Sequence, residues 1–193
     1  MSFNRFSAVA VAACALAAGS AANAAVIEFS YTGTTSGQWL NGLYSGQSFT
    51  NKAFTITLRG LTESVTALPN GMGYKTNTSG GIVTIADYGS FAVTSETAAW
   101  VNNSFGRSGF GIRDSSDILS LGDNSFNTWN MQSSLGPITR TGVFNSTALW
   151  TTGGAVRFSG SPAVTFSATV VPAPSAAALI GLVGAVGARR RRA

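Results

Sequence analysis

Residues 53–59 read Ala-Phe-Thr-Ile-Thr-Leu-Arg, and apolar and polar side chains alternate through this stretch without a break. Successive side chains of a β-strand point to opposite faces, so Phe54, Ile56 and Leu58 share one face and the threonines share the other. The stretch is therefore predicted to be a strand with one buried face. Residues 163–171 repeat this alternation over nine positions near the far end of the same region.

Shorter blocks of β-branched and aromatic residues predict further strands between these two. They lie at 25–31, 82–85, 91–94, 118–121, 139–144 and 155–158. Serine, threonine, asparagine and glycine make up almost half of residues 25–171, a composition that disfavours helices and supplies turns. The pattern predicts one all-β domain over 25–171, an antiparallel β-sandwich of jelly-roll or immunoglobulin-like type. Residues 98–135 show the least clear period of the body, and long loops are one interpretation of that stretch around the block at 118–121.

The charges are distributed unevenly along the 193 residues. There are 12 Lys+Arg, 7 Asp+Glu and no His, which gives a formal net charge of +5. Five of the basic residues are Arg5 and the run 189–192, and every acid lies between them, so the body of the chain is neutral. No nucleic-acid partner is expected, because the positive charge does not form a patch on the domain. The absence of His excludes Ser–His–acid catalysis and the usual zinc sites.

Residues 1–24 have the three parts of a secretory signal peptide. Arg5 precedes an eleven-residue apolar run, residues 8–18, and Ala22-Asn23-Ala24 forms a small-x-small cleavage site before Ala25. The segment is therefore predicted to be a signal helix, with signal peptidase and the general secretion machinery as partners. Two alternatives are a short N-terminal helix of the fold and a lipidated Cys14, which is the only cysteine of the chain.

Residues 172–193 form a second segment with three parts. The Pro-x-Pro motif Val171-Pro172-Ala173-Pro174-Ser175 precedes an apolar run, residues 176–188, and the cluster Arg189, Arg190, Arg191 and Arg192. As a helix, 13 apolar residues span about 20 Å, which is short for a hydrocarbon core of about 30 Å. Arginines snorkel to the headgroups and remain on the cytoplasmic side. The segment is predicted to be a short apolar helix that holds the chain in the membrane temporarily, with the domain outside.

This three-part order resembles the C-terminal region of the PEP-CTERM proteins of Gram-negative bacteria. In that family a Pro-Glu-Pro-type motif, an apolar helix and an arginine cluster are recognised by exosortase, a membrane cysteine peptidase. The resemblance covers about the last 22 residues, and Ala173 stands where the family usually has Glu. It implies an exosortase-type peptidase as partner, a location in the cell envelope or outside the cell, and an association with exopolysaccharide and biofilm.

Candidate site residues in the body are few, and no catalytic residue is predicted. The tryptophans are expected in the core or at its rim. Trp39 and Trp129 have polar neighbours, so they are the candidates for exceptions that stack on sugar rings and bind a ligand. Asp114, Asp117 and Asp123 supply the hard oxygen ligands that Ca²⁺ prefers, although a solvated acidic loop is the more ordinary interpretation.

The leading hypothesis is an exported, non-enzymatic protein of the envelope or matrix, structural or adhesive, and associated with exopolysaccharide. One alternative is a secreted carbohydrate- or calcium-dependent binding module of lectin type. Another is a glycan-active hydrolase, which would need two of the seven acids flanking a cleft.

Overall fold

The computed structural model describes residues 25–171, which form twelve strands and four short 3₁₀ turns. The strands are β1 (Val26–Trp39), β2 (Ser48–Leu61), β3 (Thr66–Ala67), β4 (Gly73–Ile85), β5 (Gly89–Ala92), β6 (Thr97–Asn102), β7 (Arg107–Ile112), β8 (Asp117–Gly122), β9 (Leu135–Phe144), β10 (Leu149–Thr151), β11 (Gly154–Ser159) and β12 (Ala163–Val171). The 3₁₀ turns are Gly42–Tyr44, Thr62–Ser64, Pro69–Gly71 and Asn124–Asn127.

The predicted signal peptide and most of the predicted sorting segment lie outside the described residues. This applies to residues 1–24, with Ala22 and Ala24, and to residues 172–193, with the prolines of the motif and the terminal arginines. Within residues 25–171, no helix combines the length and the apolar character that a membrane crossing requires. Val171 is described as the last residue of β12 and pairs with Val26 at the start of β1.

Eight of the strands close into one antiparallel barrel. The order around it is β1-β12-β9-β8-β7-β6-β4-β2, and β2 pairs with β1 to complete the circle. Strand β1 makes this possible because it is 14 residues long and pairs with β2 over almost its whole length. Its first half pairs with β12 and its second half with β11. The fold belongs to the class of closed eight-stranded antiparallel β-barrels.

The barrel interior is filled by apolar side chains, as expected for eight strands. The alternation seen in residues 53–59 places Phe54, Ile56 and Leu58 inside, with at most 3% of each side chain exposed. Tyr31, Phe110 and Phe166 pack their rings together at centroid distances of 5.1 and 5.3 Å. The interior of the barrel is therefore a packed apolar core.

Strands β10 and β11 extend β1 beyond the barrel as a short antiparallel ribbon. The ribbon and the neighbouring turns cover a second aromatic group. Its rings are those of Trp39, Tyr44, Phe49, Tyr88, Phe91 and Phe158. This group continues the barrel core, because Phe158 also contacts Phe54 and Phe144.

The predicted sandwich is wrong, although the all-β class is correct. Alternation fixes which face of each strand is buried, but two packed sheets and one closed sheet bury the same residues. The pairing of β1 with β2 distinguishes them, since it leaves the eight strands without the two free edges of a sandwich sheet. The interpretation of residues 98–135 as long loops is wrong for part of that stretch, because β6, β7 and β8 cover nearly half of it.

Candidate binding groove

A groove of about 350 Å³ lies on the outer surface of β4, β6, β7 and β8. Ligand pockets are commonly roughly 300–1,000 Å³ in volume, so the groove has room for a small ligand or one part of a chain. Residues of its wall and floor include Leu68, Lys75, Ala98, Trp100, Asp114 and Asp117. The indole of Trp100 forms part of its wall.

Trp100 points into the groove because of its position in β6. Its neighbours Ala99 and Val101 are directed into the barrel and are at most 1% exposed. The alternation of the strand therefore directs Trp100 outward. Antiparallel pairing places Lys75 of β4 opposite it on one side and Gly109 of β7 on the other.

Gly109 lets the indole of Trp100 lie across the neighbouring strand. A Cβ at position 109 would be 3.0 Å from Cζ2 of Trp100 and 2.1 Å from the carbonyl oxygen of Leu119. The second distance is far below a normal contact, so glycine is required there. Ala98 and Gly111 form the pair two residues along the same strands, on the same face. Their small size keeps the floor of the groove shallow.

An ion pair forms one side of the groove. Lys75 Nζ donates to Asp114 Oδ1 at 2.8 Å, and the Asp114 side chain is largely exposed while that of Lys75 is partly exposed. The hydrogen bond from Lys75, together with its positive charge, lowers the pKa of the Asp114 carboxyl. The pair connects β4 to the turn between β7 and β8, although exposed pairs of this kind add little stability.

Asp117, at the start of β8, has a different environment. Burial raises the pKa of its carboxyl above the ordinary value, while the Trp100 indole and the charge of Arg107 act in the opposite direction. Asp117 takes part in none of the ion pairs found among residues 25–171. The guanidinium of Arg107 donates instead to Ser120 Oγ at 3.1 Å.

The indole N–H of Trp100 is shielded from solvent. It makes no hydrogen bond of normal geometry with any other described residue. It is directed at the Asp117 carboxyl closely enough to act to lower the pKa of that group. The groove thus combines an aromatic side chain, a carboxylate without an ion-pair partner and a neutralised Lys–Asp pair. Such a set offers a surface for stacking and groups for polar contacts.

Trp39 and Trp129, the two tryptophans named as the likelier exceptions to core placement, both lie in the core. Trp39 is fully buried and packs against Phe91 and Tyr44, at centroid distances of 5.1 and 5.5 Å. Trp129 is 5% exposed, and its Nε1 donates to the carbonyl of Ser133 at 2.9 Å. Polar sequence neighbours do not indicate exposure here, because residues adjacent to an inward side chain of a strand face outward.

The three acids proposed as calcium ligands do not form one group. Asp114 is paired with Lys75, and Asp123 is paired with Arg140 at 2.7 Å in a separate polar depression beside Phe105. No cluster of three His, Cys, Asp or Glu side chains with metal-binding geometry occurs in the part of the chain that the structure describes. Of the three, Asp114 and Asp117 line the Trp100 groove.

Trp100 itself was missed by sequence reasoning. Residues 97–102, Thr-Ala-Ala-Trp-Val-Asn, contain two small alanines that hide the alternation of the strand. The informative pattern was the spacing Gly109-x-Gly111 in the next segment, which marks a strand surface without side chains. A large aromatic residue on the adjacent strand can lie over such a surface.

Comparison of the chain with known protein families, with curated proteins and with solved structures finds no match.

Proposed function

We propose that this chain is an exported, non-enzymatic protein of the cell envelope or extracellular matrix. It reaches that location through an N-terminal signal peptide and an exosortase-type C-terminal sorting signal, and it has a structural or adhesive role in association with exopolysaccharide. The barrel contributes the binding surface, the groove of Trp100. The single observation that carries the binding role is an outward-facing tryptophan between Lys75 and Asp117 in a groove of saccharide size.

The outer surface of the barrel supports this role. Strand pairing aligns six hydroxyl side chains in one row across neighbouring strands: Thr139, Thr165, Thr32, Thr55, Thr84 and Ser90. Thr139 and Thr165 share a hydrogen bond of 2.8 Å, and Thr84 and Ser90 one of 2.7 Å. An uncharged hydroxyl surface is compatible with a hydrated polysaccharide environment, since it exchanges hydrogen bonds with water and sugar alike.

The mass of the protein recovered from envelope and medium tests the sorting half of the proposal. In a host with exosortase we expect a chain that begins at Ala25 and lacks the arginine cluster. In a host without exosortase, the chain should keep residues 172–193 and stay with the membrane fraction. An intact tail on stable protein in both hosts would refute the sorting proposal.

Retention of the protein on purified exopolysaccharide tests the binding half. Trp100→Ala should reduce retention strongly, because a stacking side chain contributes on the order of 1 kcal/mol or more per contact. Trp150→Ala is the matched control, since Trp150 is 52% exposed on the β10–β11 ribbon and outside the groove. Equal loss in both variants would argue for non-specific adsorption.

A second candidate function is glycan hydrolysis at the same groove. The observation that favours it is that two carboxyl groups, Asp114 and Asp117, line one groove, with the pKa lowered at Asp114 by Lys75 and raised at Asp117 by burial. Glycosidases use carboxyl pairs in which one group is kept protonated and the other ionised. Release of reducing ends from exopolysaccharide, abolished in Asp117→Asn, would favour this candidate over the non-enzymatic role.

A further inference from the structure

A second depression, named here the Phe105 depression, lies beyond one end of the Trp100 groove. Its volume is about 300 Å³, and the residues that line it include Phe105, Gly122, Asp123 and Arg140. Phe105 belongs to the turn between β6 and β7, and its side chain is 69% exposed. The depression therefore places an exposed aromatic ring beside polar side chains, as the Trp100 groove does.

Strand register places the Phe105 depression in line with the Trp100 groove. Asn102 lies two residues after Trp100 in β6, which is about 7 Å along the strand and on the same outward face. Asn102 pairs with Arg107 of β7, and Arg107 pairs with Gly122 of β8. Asn102 lines the groove and Gly122 lines the depression, so one outward row of residues borders both.

The passage between the two depressions is held by a hydrogen bond and is open at a glycine. Asn102 Oδ1 accepts the backbone N–H of Phe105 at 3.2 Å, so a residue of the groove positions the turn that carries the ring. A Cβ added at Gly122 would have the carbonyl oxygen of Gly106 as its nearest contact, at 3.6 Å. The space above Gly122 is thus free for a chain that leaves the groove.

The charges along this surface balance in sign. Each of three basic side chains has an acidic neighbour: Lys75 has Asp114, Arg140 has Asp123, and Arg107 has Asp117. The first two pairs are ion pairs of 2.8 and 2.7 Å, whereas the third acts at longer range. A neutral chain that binds by ring stacking and hydroxyl hydrogen bonds therefore fits this surface better than a strongly charged one.

We propose that the groove and the Phe105 depression form one extended site, which binds several consecutive units of a neutral polysaccharide. This inference rests on the proposed glycan-binding function and names the length and charge class of the glycan. One unit stacks on Trp100, and the chain then passes over Gly122. A further unit contacts the ring of Phe105 and forms hydrogen bonds with Asn124 and Arg140, which line the depression.

Titration of the full-length chain with glycans of different length tests the inference by calorimetry. The probes are neutral hexasaccharides and neutral disaccharides, obtained from purified exopolysaccharide by partial hydrolysis and separated by size and charge. We expect the hexasaccharides to bind about tenfold tighter, since one more aromatic contact with its hydrogen bonds is worth roughly one such factor. A hexamer of galacturonic acid, with a carboxylate on every unit, is the acidic comparison and should bind more weakly than the neutral hexasaccharides.

Two variants assign the advantage of the longer chain to the Phe105 depression. Phe105→Ala should remove the tenfold advantage because it removes the ring, and Gly122→Leu should remove it because the new side chain blocks the passage. Both variants should bind the disaccharides about as tightly as the wild type. Leu43→Ala is the matched control, because Leu43 is 72% exposed and lies outside both depressions. It should keep the advantage.

The outcomes separate this inference from the function on which it rests. If both lengths bind equally and Trp100→Ala weakens both, the groove binds glycan and the extended site is wrong. If the advantage of the hexasaccharides persists in Phe105→Ala and Gly122→Leu, the further contacts lie elsewhere and the inference is again overturned. Tighter binding of the galacturonic acid hexamer would overturn the neutral class. If neither length binds, the glycan-binding role of the groove and the inference fail together.

Discussion

Oδ2 of Asp123 lies 2.7 Å from Nη2 of Arg140, and this ion pair connects the turn after β8 to the middle of β9. The Asp123 side chain is only 8% exposed, whereas that of Arg140 is 57% exposed. Oδ1 of Asp123 also accepts the backbone N–H of Ser125 at 2.8 Å and so caps the 3₁₀ turn Asn124–Asn127. The hydrogen bond from Ser125, and then the charge of Arg140, lower the pKa of the Asp123 carboxyl.

This arrangement predicts a loss of stability in acid. Because the pKa of Asp123 is lowered in the folded state, its contribution is present above the ordinary pKa and disappears as the pH falls through the lowered value. Asp123→Asn keeps an acceptor for Ser125 but has no charge to lose. About pH 2 is well below the ordinary pKa of an aspartate side chain. Between neutral pH and this pH, the denaturant midpoint of the variant should therefore fall less than that of the wild type. Asp87→Asn is the control at an exposed pair, and equal acid loss in wild type and Asp123→Asn would contradict the prediction.

Gly109 predicts a sharp difference between two glycines of adjacent strands. In Gly109→Ala the new Cβ would lie 2.1 Å from the Leu119 carbonyl oxygen, so β7 and β8 must separate. We expect a loss of roughly 1–3 kcal/mol in the free energy of unfolding, as for overpacked sites. Gly122→Ala, with its nearest contact at 3.6 Å, should lie within about 0.5 kcal/mol of the wild type. Chemical denaturation of the two variants checks this, and similar midpoints would argue against the close packing at position 109.

Phe166 lies where the barrel core meets the aromatic residues of the turn after β8. It is fully buried and contacts Tyr31, Phe126 and Trp129, at centroid distances of 5.3, 5.4 and 5.7 Å. Phe166→Ala should lower the free energy of unfolding by about 3–5 kcal/mol, because it removes a large buried side chain and leaves a cavity. Phe105→Ala is the matched control at a ring that is 69% exposed, and it should have little effect. Thermal unfolding of the two variants measures the difference, which would be small if Phe166 were peripheral.

Alternation predicted the buried face of several strands but not the way in which the sheet closes. In residues 53–59 every residue assigned to the inner face is buried. Which strand pairs with which depends on contacts between distant segments, such as those of Val26 with Leu61 and with Val171. The alternation of apolar and polar residues within one strand carries no information on these contacts. Strands β6 and β7 were missed because alanine and glycine occupy positions where larger residues would have revealed the period, whereas β8 contains the predicted block 118–121.

The candidate site was harder to predict than the strands, because exposure of one side chain depends on its neighbours in space. Trp39 has polar sequence neighbours and is buried by the rings of Tyr44 and Phe91. Trp100 has apolar sequence neighbours and faces outward, since the adjacent strand carries Gly109. Sequence neighbours of a strand residue lie on the opposite face, so their polarity is evidence about the wrong side of the sheet.

Tyr31 offers a test of the barrel interior. Its hydroxyl is fully buried and has no hydrogen-bond partner among the described residues, and burial raises the pKa of the phenol. A buried unpaired hydroxyl costs about 1–3 kcal/mol, so Tyr31→Phe should leave the free energy of unfolding unchanged or raise it by about 1 kcal/mol.

Tyr44→Phe is the matched variant, because the Tyr44 hydroxyl donates to the carbonyl of Tyr88 at 3.1 Å. Loss of that bond should cost about 0.5–1.5 kcal/mol. Chemical denaturation of both variants gives the comparison, and a Tyr31→Phe variant less stable than Tyr44→Phe would mean that the Tyr31 hydroxyl is satisfied in solution.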